Sequence, residues 1–288
     1  MTPFRSQTRR KFFKTVFSSA VSSCAWLWIA AWCFLPTHAA GDVPMIPGSI
    51  LAIAGFGAPH TLIEVAPDGT VLGELTVVDP GGLVGSPSGL TVLKGAVWIS
   101  GTDRVFRLDP VTGGLSNAFI AEEPITGLAD DGESLWVAAI HPDRLLRYDI
   151  AGNLLETIVL SELRLITGLD IDLSGGSAAN GLRFLVSSYI TGHAHLFDRS
   201  GQEVGVIETN LFPGNLTGLG LDPGGGSMWL TLGTGTNEIV HTDLDGNFLG
   251  EIPGSGMASG ISGLEVLDAS IFADGFESGT FGHWTVAP

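Results

Sequence analysis

Cysteine is nearly absent from this chain. Its 288 residues hold 2 cysteines, Cys24 and Cys33, both near the N-terminus. The rest has no disulfide framework and no thiol chemistry, so packing alone must hold it. Positive charge is also scarce: 13 Lys and Arg stand against 30 Asp and Glu, a net charge of −17. Five of the 13 cations (Arg5, Arg9, Arg10, Lys11 and Lys14) lie at the extreme N-terminus; removing them leaves 8 against 30, or −22. Such a surface argues against nucleic acid and anionic membranes as partners and favours solubility, cationic ligands or bound calcium. The strong catalytic motifs are missing too. There is no Gly-x-Ser-x-Gly elbow, no His-Glu-x-x-His, no phosphate-binding loop and no EF-hand loop.

What is present begins with an export signal. The basic residues precede an apolar, Ser-rich stretch at 15–36, and Thr37-His38-Ala39 offers small residues for cleavage. Residues 1–40 are therefore expected to be a signal peptide. Thr8-Arg9-Arg10-Lys11-Phe12-Phe13-Lys14 closely resembles the twin-arginine consensus, which implies export of an already folded protein. The general secretory route, a retained anchor, and a lipoprotein box at Val21-Ser22-Ser23-Cys24 stay open as alternatives. The exported product is placed in the periplasm, outside the cell or on its surface, with no stable membrane insertion after cleavage.

A short phrase recurs along the chain. Its copies are Ser88-Gly89-Leu90, Thr126-Gly127-Leu128, Thr167-Gly168-Leu169, Thr217-Gly218-Leu219 and Ser262-Gly263-Leu264, with glycines 38, 41, 50 and 45 residues apart. A period in the forties built of short strands predicts a β-propeller blade. A second element keeps step with it: an apolar stretch ending in an Asp-x-x-Gly turn, as at Asp149 to Gly152, Asp198 to Gly201 and Asp243 to Gly246. Asp bonds the backbone two residues on and Gly supplies positive φ, so each is a tight hairpin turn. Between them runs an apolar strand with an aromatic residue: Trp98, Trp136, Phe184 or Trp229. Each unit reads as strand a (Gly-Leu), strand b (aromatic), strand c (ending at Asp) and strand d. Innermost strands crowd the axis, where Gly lets backbones approach. The aromatic residue is expected to fill the wedge between blades.

The chain enters the repeat at Ile50-Leu51-Ala52-Ile53, which reads as strand b, and leaves it after Ser262-Gly263-Leu264, which is strand a. The last strand should complete the first blade. The expected fold is all-β, a single propeller of five four-stranded blades over residues 47–268, with a tail motif at 269–288. A monomer is expected.

Three groups are candidate site residues. In a propeller the b–c and d–a loops share one face, and the b–c loops hold His60, His141, His193 and His195. Histidines converging from several blades would serve as acid and base or bind a divalent transition metal, with Asp103 and Asp143 to orient a ring or complete the ligand set. His141, His193, His195 and Asp143 are the metal-ligand candidates. The second group is the hydroxyl ring Ser88, Thr126, Thr167, Thr217 and Ser262. By symmetry it sits near the channel mouth, to bond a polar ligand or to satisfy the backbone of a neighbouring blade. The third is the Asp-rich turns at 172–176 and 222–226, which read as plain turns rather than calcium loops.

Leu135-Trp136-Val137 running on to Leu146-Arg147-Tyr148-Asp149 and Gly152-Asn153-Leu154 resembles NHL-type and gluconolactonase-like propellers and streptogramin lyases. The resemblance implies the fold over about 47–267. Such lactonases hold a divalent metal with Glu, Asn and Asp, and the lyases use His and Glu with magnesium; neither set is placed on residues of this sequence. Ile271-Phe272-Ala273-Asp274-Gly275-Phe276-Glu277-Ser278-Gly279, followed by Trp284, is similar to a C-terminal segment of many exported bacterial proteins and implies a sorting or attachment tag. The leading expectation is an exported propeller that binds a small molecule or protein through its loop face. The competing expectations are a periplasmic metal-dependent, lactonase-like hydrolase or lyase using the loop histidines, and a surface-display protein whose tail is the working part.

Overall fold

The computed structural model describes residues 43–55, 59–79, 85, 87–140, 142–161, 165–172, 182–209, 216–233, 237–254 and 260–268. The signal segment, the C-terminal tail, His141 and residues 173–176 of the first Asp-rich turn lie outside these. All 20 elements among the described residues are strands. Blade 1 holds β1 (Ile50–Ala54), β2 (Thr61–Val65), β3 (Val71–Thr76) and the last strand, β20 (Ile261–Val266). Blade 2 is β4 (Gly89–Leu93), β5 (Ala96–Ser100), β6 (Arg104–Leu108) and β7 (Leu115–Ile120). Blade 3 is β8 (Ile125–Asp130), β9 (Leu135–Ala139), β10 (Arg144–Tyr148) and β11 (Leu154–Val159). Blade 4 is β12 (Ile166–Asp172), β13 (Arg183–Ser188), β14 (Ala194–Asp198) and β15 (Glu203–Ile207). Blade 5 is β16 (Leu216–Leu221), β17 (Ser227–Leu232), β18 (Ile239–Asp243) and β19 (Phe248–Ile252). The fold is a five-bladed β-propeller of antiparallel sheets, and β20 pairs with β1 to close it.

The repeated phrase forms the innermost strands. A Cβ added at Gly89 would lie 2.4 Å from the Leu128 amide of the next blade, and one at Gly127 2.8 Å from the Leu169 amide. Gly168 meets Gly218 and Leu219 in the same way, Gly218 meets Ser262, and Gly263 returns to Gly89 and Leu90. Five blades leave the axis no room for a side chain at this level.

The core sits in the seams between blades. One buried cluster joins Leu51, Ile53 and Leu62 of blade 1 to Leu90, Val97 and Phe106 of blade 2. The others link blades 2 and 3, 3 and 4, 4 and 5, and finally 5 and 1, where Trp229 packs with Ile50, Ile63 and Leu264. The aromatic residues of strand b fill these wedges. Trp136 is fully buried and packs on Phe184 with ring centroids 4.7 Å apart. Its outer cross-strand partner Arg147 lies 5.7 Å over the ring, and in blade 5 His241 stacks on Trp229 at 4.0 Å.

The N-terminal end of the ring is clamped by a buried acid. The carboxylate of Glu64 accepts the Met45 amide at 2.7 Å, the Ile46 amide at 2.5 Å and the Ser49 hydroxyl at 2.5 Å. Glu64 interrupts the apolar strand Thr61–Val65 and is fully buried, and its three donors meet the cost of desolvation.

Candidate functional site

Two regions concentrate polar chemistry: the axis and the b–c/d–a loop face. Along the axis, three of the five hydroxyls of the repeated phrase reach sideways to the next blade. Ser88 Oγ donates to the Ile125 carbonyl at 2.9 Å, Thr167 Oγ1 to Leu216 at 2.6 Å and Thr217 Oγ1 to Ile261 at 2.9 Å. Each bond satisfies a carbonyl on the free inner edge of a strand. Thr126 Oγ1 donates within its own blade to Ala138 at 3.3 Å, and Ser262 Oγ is buried without a partner among the described residues. The adjoining cavity, lined by Ser88 and the five Gly-Leu pairs, measures about 10 Å³. That is room for about one water molecule, so the Gly-Leu level is a closed waist and not a pore.

Beyond the waist, toward the a–b turns, the axis turns acidic. Asp130, Asp170 and Glu265 approach from the innermost strands of blades 3, 4 and 1. Thr91 Oγ1 of blade 2 donates to Asp130 Oδ2 at 2.7 Å, and the Leu221 amide of blade 5 donates to Asp170 Oδ2 at 2.6 Å. Burial pushes Asp130 up to about 6 and Asp170 to about 7, with repulsion from neighbouring carboxylates adding to the rise. Burial raises Glu265 well above the ordinary carboxyl range, reinforced by Asp170 and Asp130. Asp170 and Glu265 directly follow Leu169 and Leu264 of the repeated phrase, and Asp130 comes two residues after Leu128. An acid one or two residues past the phrase in three of its copies is the signal that the sequence carries for this cluster. The histidines of the opposite, loop-rich face mask it.

On the loop face, backbone bonds tie the b–c loops of blades 1 to 4 to adjoining d–a segments. His60 accepts the Val77 amide at 2.9 Å, Asp103 the Ala121 amide at 2.9 Å, Asp143 the Leu160 amide at 3.2 Å, and Leu165 the Tyr189 amide at 3.1 Å. Of the side chains, Asp143 serves the same purpose. His60 is buried, its Nδ1 2.9 Å from the Gly55 carbonyl. Asp143 is buried and its Oδ2 accepts the Leu165 amide at 3.1 Å. Asp103 is exposed beside Arg104, 3.5 Å away. His193 Nδ1 is buried without a partner among the described residues. His195 is 3% exposed, and its ring joins Glu203 Oε2 at 2.9 Å to Thr191 Oγ1 at 2.9 Å.

The Thr191–His195–Glu203 chain has the order of a hydroxyl–base–acid relay. Its setting is that of a brace. The imidazole is enclosed between strands, and the Thr191 oxygen also takes the His193 amide at 3.3 Å. The loop it holds is further pinned by the Ser188 amide on His193, the Gly192 amide on Ser188, and the Thr209 hydroxyl on Gly192. At its tip stand Tyr189, 44% exposed, and Ile190, 68% exposed, the most exposed large apolar side chain among the described residues. Of the loop histidines, the structure thus brings His193 and His195 into one hairpin, while His60 lies in another blade. Among the described residues no group of three or more His, Cys, Asp or Glu is arranged to hold a metal ion. The turn at 222–226 is closed by its own bonds, with Asp222 accepting the Ser227 hydroxyl at 3.0 Å.

No family model matches the sequence, and no curated protein matches it. Similar folds do occur among solved structures. A chain of a nidogen/laminin complex superposes with a TM-score of 0.52 at 12% identity, covering 76% of this chain and 98% of that one. A catalytically inactive virginiamycin B lyase from Staphylococcus aureus, with quinupristin, gives 0.44 at 15% identity over 74% and 72%. Glutaminyl cyclase from Myxococcus xanthus gives 0.44 at 15% over 62% and 70%. At such identities the first likeness is one of fold.

Proposed function

We propose that this chain is an exported binding propeller that docks a protein partner through its b–c/d–a loop face. The observation that carries the reading is the blade-4 loop: two large apolar side chains, Tyr189 and Ile190, held out to solvent on a backbone braced from beneath. Rigid, exposed apolar side chains are what anchors an interface, because little entropy is lost when they dock. A net charge of −17 over the chain fits a partner whose apolar socket is rimmed by Lys and Arg. The one-water cavity at the waist gives a small ligand little to fill.

The test is site-specific photo-crosslinking in an exporting bacterial host. A crosslinker at Ile190 should give one discrete adduct, weakened by high salt and lost when Tyr189→Ser is added. A crosslinker at Val71, also exposed but in blade 1, should give none. Adducts of equal yield at both positions, or none at Ile190, would overturn the reading. Turnover of an ester or lactone that disappears with His195→Gln would favour the hydrolase alternative instead.

A further inference from the structure

The partner surface lies on one face of the ring; the unexplained chemistry lies at the other end of the axis. Three carboxyl groups meet there from three blades, and among the described residues none is paired with Lys, Arg or His. Each is hemmed in by protein yet keeps part of its surface open, as a group lining a narrow cup does. We infer that Asp130, Asp170 and Glu265 form a proton-held clamp, which tightens the ring in mild acid and slackens its a–b end as the pH rises.

The clamp spans seams, which is why its charge state bears on the whole ring. Thr91 to Asp130 joins blades 2 and 3, and Leu221 to Asp170 joins blades 4 and 5, at 2.7 and 2.6 Å. Glu265 comes from β20, the strand that closes the ring, and faces both aspartates. The other charged groups facing the cluster are Asp131 beyond β8, Asp172 at the end of β12 and Asp268 beyond β20. Asp172 pairs with Arg183 of β13 at 2.8 Å. The strands β1, β5, β9 and β17 behind them carry no titratable side chain, so nothing there offsets the negative charge. With all three carboxylates ionised, like charges would crowd a space of low polarisability. Protonation removes that repulsion and leaves the two seam bonds in place.

The sign follows from linkage. A carboxyl whose folded value is raised binds its proton more tightly folded than unfolded. Its contribution is complete below the ordinary carboxyl range and is lost as the pH climbs through the raised values, about 6 for Asp130 and about 7 for Asp170. An exported chain follows the pH of its surroundings, so the device would loosen the ring on alkalinisation.

The experiment is thermal unfolding of the full chain from pH 5 to 8.5 in the presence of EDTA, for wild type, Asp170→Asn and Glu265→Gln. Wild-type Tm should fall steadily between pH 5.5 and 8. Each variant should flatten that fall and melt above wild type at pH 8. In Asp170→Asn the side-chain carbonyl can still accept the Leu221 amide, so the seam bond survives the loss of charge. Parallel curves for all three proteins would overturn the inference, as would a fall abolished by millimolar calcium, which would make a cation the clamp. Should a variant not fold, carbon-13 titration of the wild-type carboxyl groups decides the matter. Midpoints of about 6 for Asp130 and about 7 for Asp170, with Glu265 well above the ordinary carboxyl range, support the clamp; midpoints all within the ordinary carboxyl range sink it.

Discussion

At the scale of single residues, the glycines of the repeated phrase make the sharpest claim. They are required by proximity. A methyl group at Gly89 would stand 2.4 Å from the Leu128 amide nitrogen and 2.8 Å from the Gly127 carbonyl carbon, and backbone atoms cannot swing aside. Gly89→Ala should therefore cost about 3 kcal/mol, the upper end of the usual overpacking range. Gly250→Ala is the control, because nothing lies within 4 Å of its added methyl and its strand gains a side chain; stability should stay within about 1 kcal/mol of wild type. Urea unfolding of both variants checks the pair. The need for glycine was legible in the sequence as a repeated phrase. The use of the neighbouring hydroxyls as cross-blade donors was legible only as one of two options, since a side chain's target in the next blade is tens of residues away. Glu64 and the axial acids were not legible in this way. Their meaning depends on burial and on what other blades bring alongside, and neither is local.

At the scale of strands and turns, two rules account for blades 3, 4 and 5, and blades 1 and 2 follow them in part. Strand b carries the wedge, and the Asp-x-x-Gly turn closes the c–d hairpin. The turn works as its chemistry predicts: Asp149 Oδ1 accepts the Ala151 and Asn153 amides at 2.9 Å each, and Gly152 sits at φ 86°. Asp198 and Asp243 repeat the arrangement. Bonds from side-chain and backbone donors hold the carboxyls of Asp149, Asp198 and Asp243 below their ordinary value, as they do that of Asp68. A lowered folded value contributes stability above the ordinary carboxyl range and loses it as the pH falls further. The turns therefore set an acid limit, as the axial clamp sets an alkaline one. Tm should peak in mildly acidic buffer and fall on both sides. Asp149→Ala should lower Tm across the neutral and alkaline range and make the acid limb shallower, the two curves converging toward pH 3, which a Tm profile from pH 3 to 8.5 resolves. These turns and the aromatic strands were the readable part of each blade. The outermost strands were less so. They expose apolar residues such as Leu155, Val159 and Phe248, because an edge strand has one neighbour and partial cover.

At the scale of the molecule, closure does what disulfides do in small cysteine-rich domains. Every blade lends one sheet face to each of two seams, so five seams exist only if the ring is complete. The closing strand supplies Ile261, Leu264 and Val266 to the seam between blades 5 and 1, and covers the open edge of β1. The two ends of the ring lie side by side there, with the Gly48 amide on the Leu267 carbonyl at 2.7 Å and the Leu267 amide on Ser49 at 2.9 Å. That proximity separates two explanations of stability. If closure matters and chain order does not, a circular permutant that joins residue 268 to residue 43 through a short linker, and opens at the exposed Gly132 turn, should keep a single cooperative unfolding transition. Truncation before Ile261 removes only a short stretch of ring, yet should leave tryptophan fluorescence and far-ultraviolet dichroism melting apart, because blade 1 would then unravel ahead of the other four. Coincident transitions in the truncated chain would mean that the blades hold themselves and the ring adds little.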